Sequence, residues 1–239
     1  MSGTYLIFAV VATVMFAWVD ECLGQTVGYV GGRPDWRSRR WSVGAYLGGS
    51  RGGANSDLEM ALISSGWDEP RPDPVTGLVS EHPRSSHGGA SPMIALRYRF
   101  TLLLAGELLF SNVETGRTTG YQFPTTLQLR HSVLSFAPLA SVQLAILHLG
   151  AGPALHVVRA GYGSEGYDES HLKLGVLGDL GIAFPQDYVV FLDVRAQYRV
   201  VGKAEIGPIS GAGGGSGAFP AAQIDFNHLY LSAGLAVRF

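Results

Sequence analysis

After position 22 the chain has no cysteine. Its single thiol, Cys22, lies in an apolar N-terminal region, so the remainder can build neither a disulfide scaffold nor a Cys-ligated zinc site. Beyond that region no apolar run approaches the roughly 18 residues of a membrane-spanning helix. Charge is sparse and nearly balanced: 17 Lys and Arg against 19 Asp and Glu, a formal net charge of −2. With no basic stripe interleaved with aromatics, there is no case for nucleic acid as a partner. What the chain has in quantity is apolar residues, 46%, and glycine, 33 of 239. Its mean hydropathy is +0.18. A chain this apolar, lacking a membrane helix, must bury its apolar residues in a core or show them to lipid on strands. Glycine at about twice the average usage disfavours long helices and suits tight turns and crowded strands.

Residues 5–18, YLIFAVVATVMFAW, form an apolar run of signal-peptide length, and Gly24 offers a small residue for cleavage. No Lys or Arg precedes the run. Residues 1–25 are therefore assigned to a signal peptide; a lipidated Cys22 and an uncleaved anchor are the alternatives. Residues 26–40, broken by Gly31, Gly32 and Pro34 and basic through Arg33, Arg37, Arg39 and Arg40, read as a periplasmic linker.

From 41 to 239 the pattern alternates with the two-residue period of strands. Eight segments carry it: 41–49, 92–100, 102–112, 128–141, 145–159, 170–184, 188–201 and 228–239. Pro138 should sit near a strand end or at a bulge, since proline cannot donate to a ladder. Connections after the first, third, fifth and seventh segments are long; the others are only a few residues. Within the first long connection, 50–91, Ser56 to Glu59 has a capping-box pattern and predicts a short helix ending at Gly66. Its stripe would hold Leu58, Ala61 and Leu62. Pro70, Pro72, Pro74 and Pro83 argue against sheet after it. Residues 113–126 and the glycine-rich 202–224 read as loops.

The last segment, HLYLSAGLAVRF, sets Leu229, Leu231, Ala233, Leu235, Val237 and Phe239 on one face and His228, Tyr230, Ser232, Gly234, Ala236 and Arg238 on the other. It resembles the closing strand of bacterial outer-membrane β-barrels, which typically ends in Phe and is read by the assembly machinery. Together with the loop asymmetry, it makes residues 41–239 similar to the small OmpA/OmpX-like class. That resemblance implies an all-β, eight-stranded antiparallel up-and-down transmembrane barrel with both chain ends on the periplasmic side. A lipocalin-like soluble barrel or sandwich, with the apolar face inward, is the alternative. Two features favour the membrane version. The more polar face is rich in small residues (Gly150, Gly152, Gly175, Gly181, Gly234). Trp41, Tyr98, Phe100, Phe184, Tyr188 and Phe239 fall at strand ends, where interfacial girdles sit.

Eight strands leave an interior just wide enough for side chains. Glu107, Asp179 and Asp193 should then share it with Arg97, Arg99, Lys173, Arg195, Arg199 and Arg238 as a plugging network of ion pairs. A narrow gated conduit is the alternative. No motif points firmly to catalysis. Gly48-Gly49-Ser50-Arg51-Gly52 matches a nucleophile elbow but ends a meander strand. Residues 161–166 match GxGxxG but lead into a strand. None of the seven histidines is in an HExxH motif, and His148 and His156 lie too far apart on one strand to share a metal. Asp225, His228 and Ser232, with Ser50, invite comparison with lipid-modifying barrel enzymes. The expectation is a non-enzymatic monomer without cofactor, contacting outer-membrane lipid and lipopolysaccharide, whose long loops carry a structural or surface-binding role.

Overall fold

The computed structural model describes residues 29–30, 33–34, 39–52, 56–72, 75, 77, 79–81, 83–123, 125–162, 169–185, 188–207 and 221–239. Residues 1–25, assigned from sequence to a signal peptide, together with Arg37, Pro74, residues 163–166 of the GxGxxG match and the centre of the glycine-rich loop, lie outside the described residues.

Eight strands form the wall: β1 Trp41–Gly52, β2 Ser91–Arg99, β3 Leu104–Gln122, β4 Thr125–Leu144, β5 Leu147–Tyr162, β6 Glu169–Phe184, β7 Val190–Val200 and β8 His228–Arg238. Each pairs antiparallel with its successor, and β8 pairs with β1 from His228↔Gly52 to Arg238↔Ser42. The ring is closed, which removes the free outer strands of an open sheet. At the seam, Trp41 and Phe239 exchange backbone hydrogen bonds of 3.2 and 3.0 Å.

The two-residue alternation of inward and outward side chains holds on all eight strands. On β2, Ala95, Arg97 and Arg99 are buried, while Ile94, Leu96 and Tyr98 are not. On β8, Tyr230, Ser232, Ala236 and Arg238 are buried and Leu229, Leu231 and Leu235 are exposed. The short connections after β2, β4 and β6 gather at one end, with Ala145 in the left-handed region at φ 52°. The long connections leave from the other end.

Four expectations are corrected. Residues 113–126 are not a loop: β3 runs on to Gln122 and β4 begins at Thr125. Their ladder continues past a bulge between Glu114 and Gly116 to Gln122↔Thr125. Glycines and Pro124 gave this stretch a loop-like composition, but β-branched Thr115, Thr118 and Thr119 and inward Leu127 and Leu129 sustain the strands. Sheet also forms in the proline-rich connection, as Arg71–Pro72 with Val79–Ser80 and as Arg84–His87 against β3. The 202–224 stretch likewise holds the ribbon Lys203–Ile206 with Ala222–Asp225. Pro138 sits neither at a strand end nor at a bulge but mid-strand in β4. The β4–β5 ladder stops after Ala151↔Ala140 and resumes at Leu155↔Phe136 in unchanged register. That register sets Pro153 opposite Pro138, so two residues without N–H groups share one gap. Gly152 beside it permits close approach, because a Cβ there would meet the Pro138 carbonyl oxygen at 2.0 Å.

The helix α1, Ser56–Ser64, ends as its sequence predicts. Gly66 has φ +78°, Gly66 N donates to Ile63 O at 3.0 Å, and Trp67 N donates to Leu62 O at 2.9 Å. This is a Schellman cap, with Trp67 packed in the same cluster as Leu62.

Candidate functional site: the sealed lumen and the loop head

The lumen is filled in layers, beginning at the turn end. There Ala183, Phe191 and Ala236 cluster, and the Arg238 guanidinium lies 4.6 Å from the Phe191 ring centre. Residues 39–40 tuck beneath: Arg39 Nη1 donates to Arg238 O at 3.0 Å and Arg99 Nη2 to Arg39 O at 2.6 Å.

The next layer is an ion-pair network. Arg195 contacts Glu107 through Nη1, donates from Nε to Asp193 Oδ2 at 3.0 Å, and stands 3.6 Å from Asp179 Oδ2. Arg97 Nε donates to the other Glu107 oxygen at 2.8 Å. His148 lies between two carboxylates, with Nε2 2.9 Å from Asp193 and Nδ1 3.3 Å from Asp179. The second contact has ion-pair distance without hydrogen-bond alignment. Tyr46 OH donates to Asp193 Oδ2 at 2.8 Å, and its ring lies under Arg195, 4.8 Å away. These groups come from β1, β2, β3, β5, β6 and β7, so the network ties most of the ring together. Gly181 makes room for His148: a Cβ there would sit 2.1 Å from Nε2.

Above it lies Arg199, fully buried and bound to neutral groups. It donates to Ser111 Oγ at 2.6 Å, Ser135 Oγ at 3.2 Å and Gln197 Oε1 at 2.7 Å, and packs over Tyr230 at 4.9 Å. Ser135 also bonds His156 Nδ1 at 2.8 Å. All the predicted lumen charges are buried except Lys173, half-buried on a longer strand toward the loop end.

An apolar plug completes the filling. Leu58 and Leu62 of α1 enter a buried cluster with Trp67, Leu127, Leu129, Val133, Val158, Ile206, Ile224 and Phe226. The sequence pattern identified α1 and its stripe but not this seat, because the cluster draws on β4, β5 and the ribbon. The first connection is also pinned to the β3–β4 hairpin. Glu69 N donates to Tyr121 O at 3.1 Å, and Phe123 N donates to Glu69 Oε2 at 2.7 Å. Glu59 Oε1 accepts from Ser85 Oγ at 2.6 Å. On this head Met60, Ile63, Val75, Val79 and Phe123 are exposed, Phe123 at 77%.

The residues with catalytic potential are placed apart in role. Ser50 lies within β1, not at an elbow, and Ser50 Oγ donates to Glu114 O at 2.6 Å. His228 Nδ1 donates to Phe226 O at 2.8 Å, and Asp225 Oδ1 accepts from Asn227 N at 2.9 Å. Among the described residues no group of three or more His, Cys, Asp or Glu could hold a metal ion.

The outer wall reverses the normal ordering of a soluble protein. Leucines such as Leu149, Leu174, Leu180, Leu192, Leu231 and Leu235 are exposed, while charged Arg97, Glu107, Asp179, Asp193, Arg195 and Arg199 are buried. A groove of about 480 Å³ runs along the wall where Ala196 and Ala233 recess it between Leu47, Leu147, Leu180 and Leu231. At the turn end Trp41 and Tyr98 rings lie 4.6 Å apart and Tyr98 and Phe100 5.2 Å, with Phe184 and Tyr188 also exposed. An even number of antiparallel strands, an apolar belt, an aromatic girdle, and short turns opposite long loops make a transmembrane barrel of the outer-membrane type.

No protein-family model and no curated protein matches the chain. Among solved structures it is similar to neisserial surface protein A, at 18% identity and TM-score 0.42, over 83% of this chain and 97% of that one. It is also similar to the attachment invasion locus protein Ail of Yersinia pestis, at 13% identity and TM-score 0.41, over 83% and 98%. The outer-membrane protein AlkL, solved in lipid bilayers, gives 13% identity and TM-score 0.43 over 90% and 97%. Likeness at this level bears on architecture alone, and the closed eight-stranded ring with charge inside and leucine outside rests on the geometry of this chain.

Proposed function

We propose that the protein is a sealed outer-membrane barrel whose loop head is a surface-binding module, acting as a monomer and without a catalytic step. The observation that carries this reading is the double closure of the lumen. A network of ion pairs and hydrogen bonds spans six strands, and a separate apolar plug seated by Leu58 and Leu62 lies beyond it. A barrel blocked twice has little left to conduct, whereas its head is held in place and presents apolar side chains outward. Chemically, such a head suits an apolar or amphipathic partner at the cell surface. Outer-leaflet lipid, including lipopolysaccharide, surrounds the wall in this reading, and the strand ending in Phe239 is the segment offered to the assembly machinery.

In planar bilayers bathed in KCl, the purified protein is expected to give no stepwise conductance; sustained channel steps would defeat the sealed-barrel reading. On intact cells, the pair Met60→Asp and Phe123→Asp is expected to reduce partition into hexadecane severalfold at equal surface levels. Unchanged partition would remove the head from the account.

A further inference from the structure

The apolar belt is not level around the ring. Followed through the register from Phe184 on β6, one row of outward residues passes Leu235, Ile94 and Phe136 and returns to β6 at Leu174, ten residues nearer the loop end. Spread over eight strands, each step climbs about one and a quarter residues along a strand. Outward charges on other strands can be levelled against β6 on that scale. Arg51 lies three steps above Gly178, on the row through Tyr198 and Leu229. Glu114 lies three steps below Ser170, on the row through Ser132 and Arg159. Both therefore stand at about the height of Leu174. On β6 that height is still apolar: Leu174 is 83% exposed and Leu172, beyond it, 66%. On β3 the outward apolar run has already ended at Phe110, and Asn112 and Glu114 follow. The apolar surface thus reaches less far toward the loop end on the β1–β3 arc than on β6, across the ring.

The turn end shows the converse. Leu104 lies three steps below Leu180, on the row through Val142 and Leu149, so it stands at about the height of Phe184. Below Leu104 the wall stays apolar: Leu102 and Leu103 are each more than half exposed, and so is Ile146, nearly, in the neighbouring connection. Below Phe184 the sequence turns polar, with Gln186 and Asp187. The backbone between β2 and β3 is also bonded internally. Thr101 Oγ1 accepts from Leu103 N at 3.2 Å and Leu104 N at 2.9 Å, Leu104 O accepts from Phe100 N at 3.0 Å, and Leu103 O accepts from Gln143 N at 2.7 Å. Hydrocarbon admits backbone whose polar groups are satisfied within the protein, and this turn meets that condition while showing leucine outward.

We propose that the barrel crosses the membrane tilted, with its β2–β3 side raised toward the cell exterior, and that residues 101–103 and 145–146 bind the acyl-chain region of the periplasmic phospholipid leaflet. This surface is continuous with the lipid-facing belt through Leu104 and Leu144. The tilt draws Leu172 and Leu174 down into hydrocarbon and lifts Arg51 and Glu114 among the headgroups, where charge stays hydrated. It also lifts the β3–β4 hairpin, with Phe123 at its tip, away from the lipid surface. The inference rests on the membrane placement of the barrel and not on the surface-binding head.

The test uses the full chain with Cys22→Ser and one nitroxide-labelled cysteine at a time, folded into phospholipid vesicles and checked by heat-modifiable gel mobility. Power-saturation electron paramagnetic resonance compares collision with oxygen, which enters hydrocarbon, and with a water-soluble nickel chelate. An upright barrel sets Arg51→Cys level with Leu174→Cys, and Leu104→Cys level with Phe184→Cys. The tilted barrel is expected to give oxygen-to-nickel ratios at least about threefold higher at Leu174 than at Arg51, and at Leu104 than at Phe184. A label at Leu103→Cys should meet oxygen more than nickel. Equal or reversed ratios within either pair, or a Leu103 label reached chiefly by nickel, overturn the proposal. None of these positions belongs to the plug or the head, so conductance and hexadecane partition report separately on the surface-binding reading.

Discussion

Replacing Arg195 by alanine is expected to lower the unfolding free energy of the barrel by about 3–5 kcal/mol, the range for breaking a buried ion pair from one side. Arg195 is 2% exposed and touches Glu107, Asp193 and Asp179, three carboxylates supplied by β3, β7 and β6. Its removal leaves those carboxylates with Arg97 and His148 in a space closed by protein on both sides. The cost is the desolvation of charge that has lost its partner, not merely one lost attraction. A second substitution checks the cause. Glu107→Gln added to Arg195→Ala removes one of the stranded charges and should recover part of the loss, since neighbours in one network are not additive. Urea unfolding in micelles, followed by Trp fluorescence and by gel mobility, measures both. A loss below about 1 kcal/mol, the scale of a solvated surface pair, would mean that water reaches the network and that the lumen is not sealed.

Val194→Arg should cost about 2–4 kcal/mol in a bilayer, the range for a basic residue on the lipid face at mid-depth. Val194 is the residue between Asp193 and Arg195, is 45% exposed, and pairs with Ala233 near the middle of β8. In a soluble barrel a substitution at so exposed a position would be nearly neutral. The charge is unfavourable here only because the surrounding medium is hydrocarbon. Unfolding of the variant from lipid vesicles, compared with wild type, reads the difference, and Val194→Leu serves as the apolar control. Equal stabilities for Arg and Leu at this position would place the leucine face in water and invert the assignment of inside and outside.

These two residues are adjacent in sequence and opposite in consequence, which shows how much strand alternation by itself carries. The period of two fixes which side chains share a face, because the pleat turns each Cβ away from its neighbour. The inward positions of Arg97, Glu107, Asp179, Asp193, Arg195 and Arg199 were therefore legible one strand at a time. So was their exclusion from the lipid side, since charge on one face and leucine on the other leaves little choice in a membrane. The cap of α1 was equally local: Gly66 ends the helix by its own conformational freedom, and Trp67 folds back on Leu62.

Ring closure decided the rest. Which carboxylate meets which guanidinium depends on stagger between strands up to 88 residues apart, as for Arg195 and Glu107. No local pattern encodes that offset. Register likewise placed Pro153 across from Pro138, turning an apparent defect into one shared gap. It also gave Leu58 and Leu62 a seat against β4, β5 and the ribbon. The long β3–β4 hairpin was missed for a related reason. Glycine and proline are read as breakers when a segment is viewed alone, but a partner strand and a packed helix supply the hydrogen bonds and burial that hold it extended. By itself the sequence determined the alternation, the strand number and the inward charge, since each follows from backbone geometry and solvent preference at neighbouring positions. The filled lumen was decided only in the tertiary structure, where cross-strand register brings distant residues into contact.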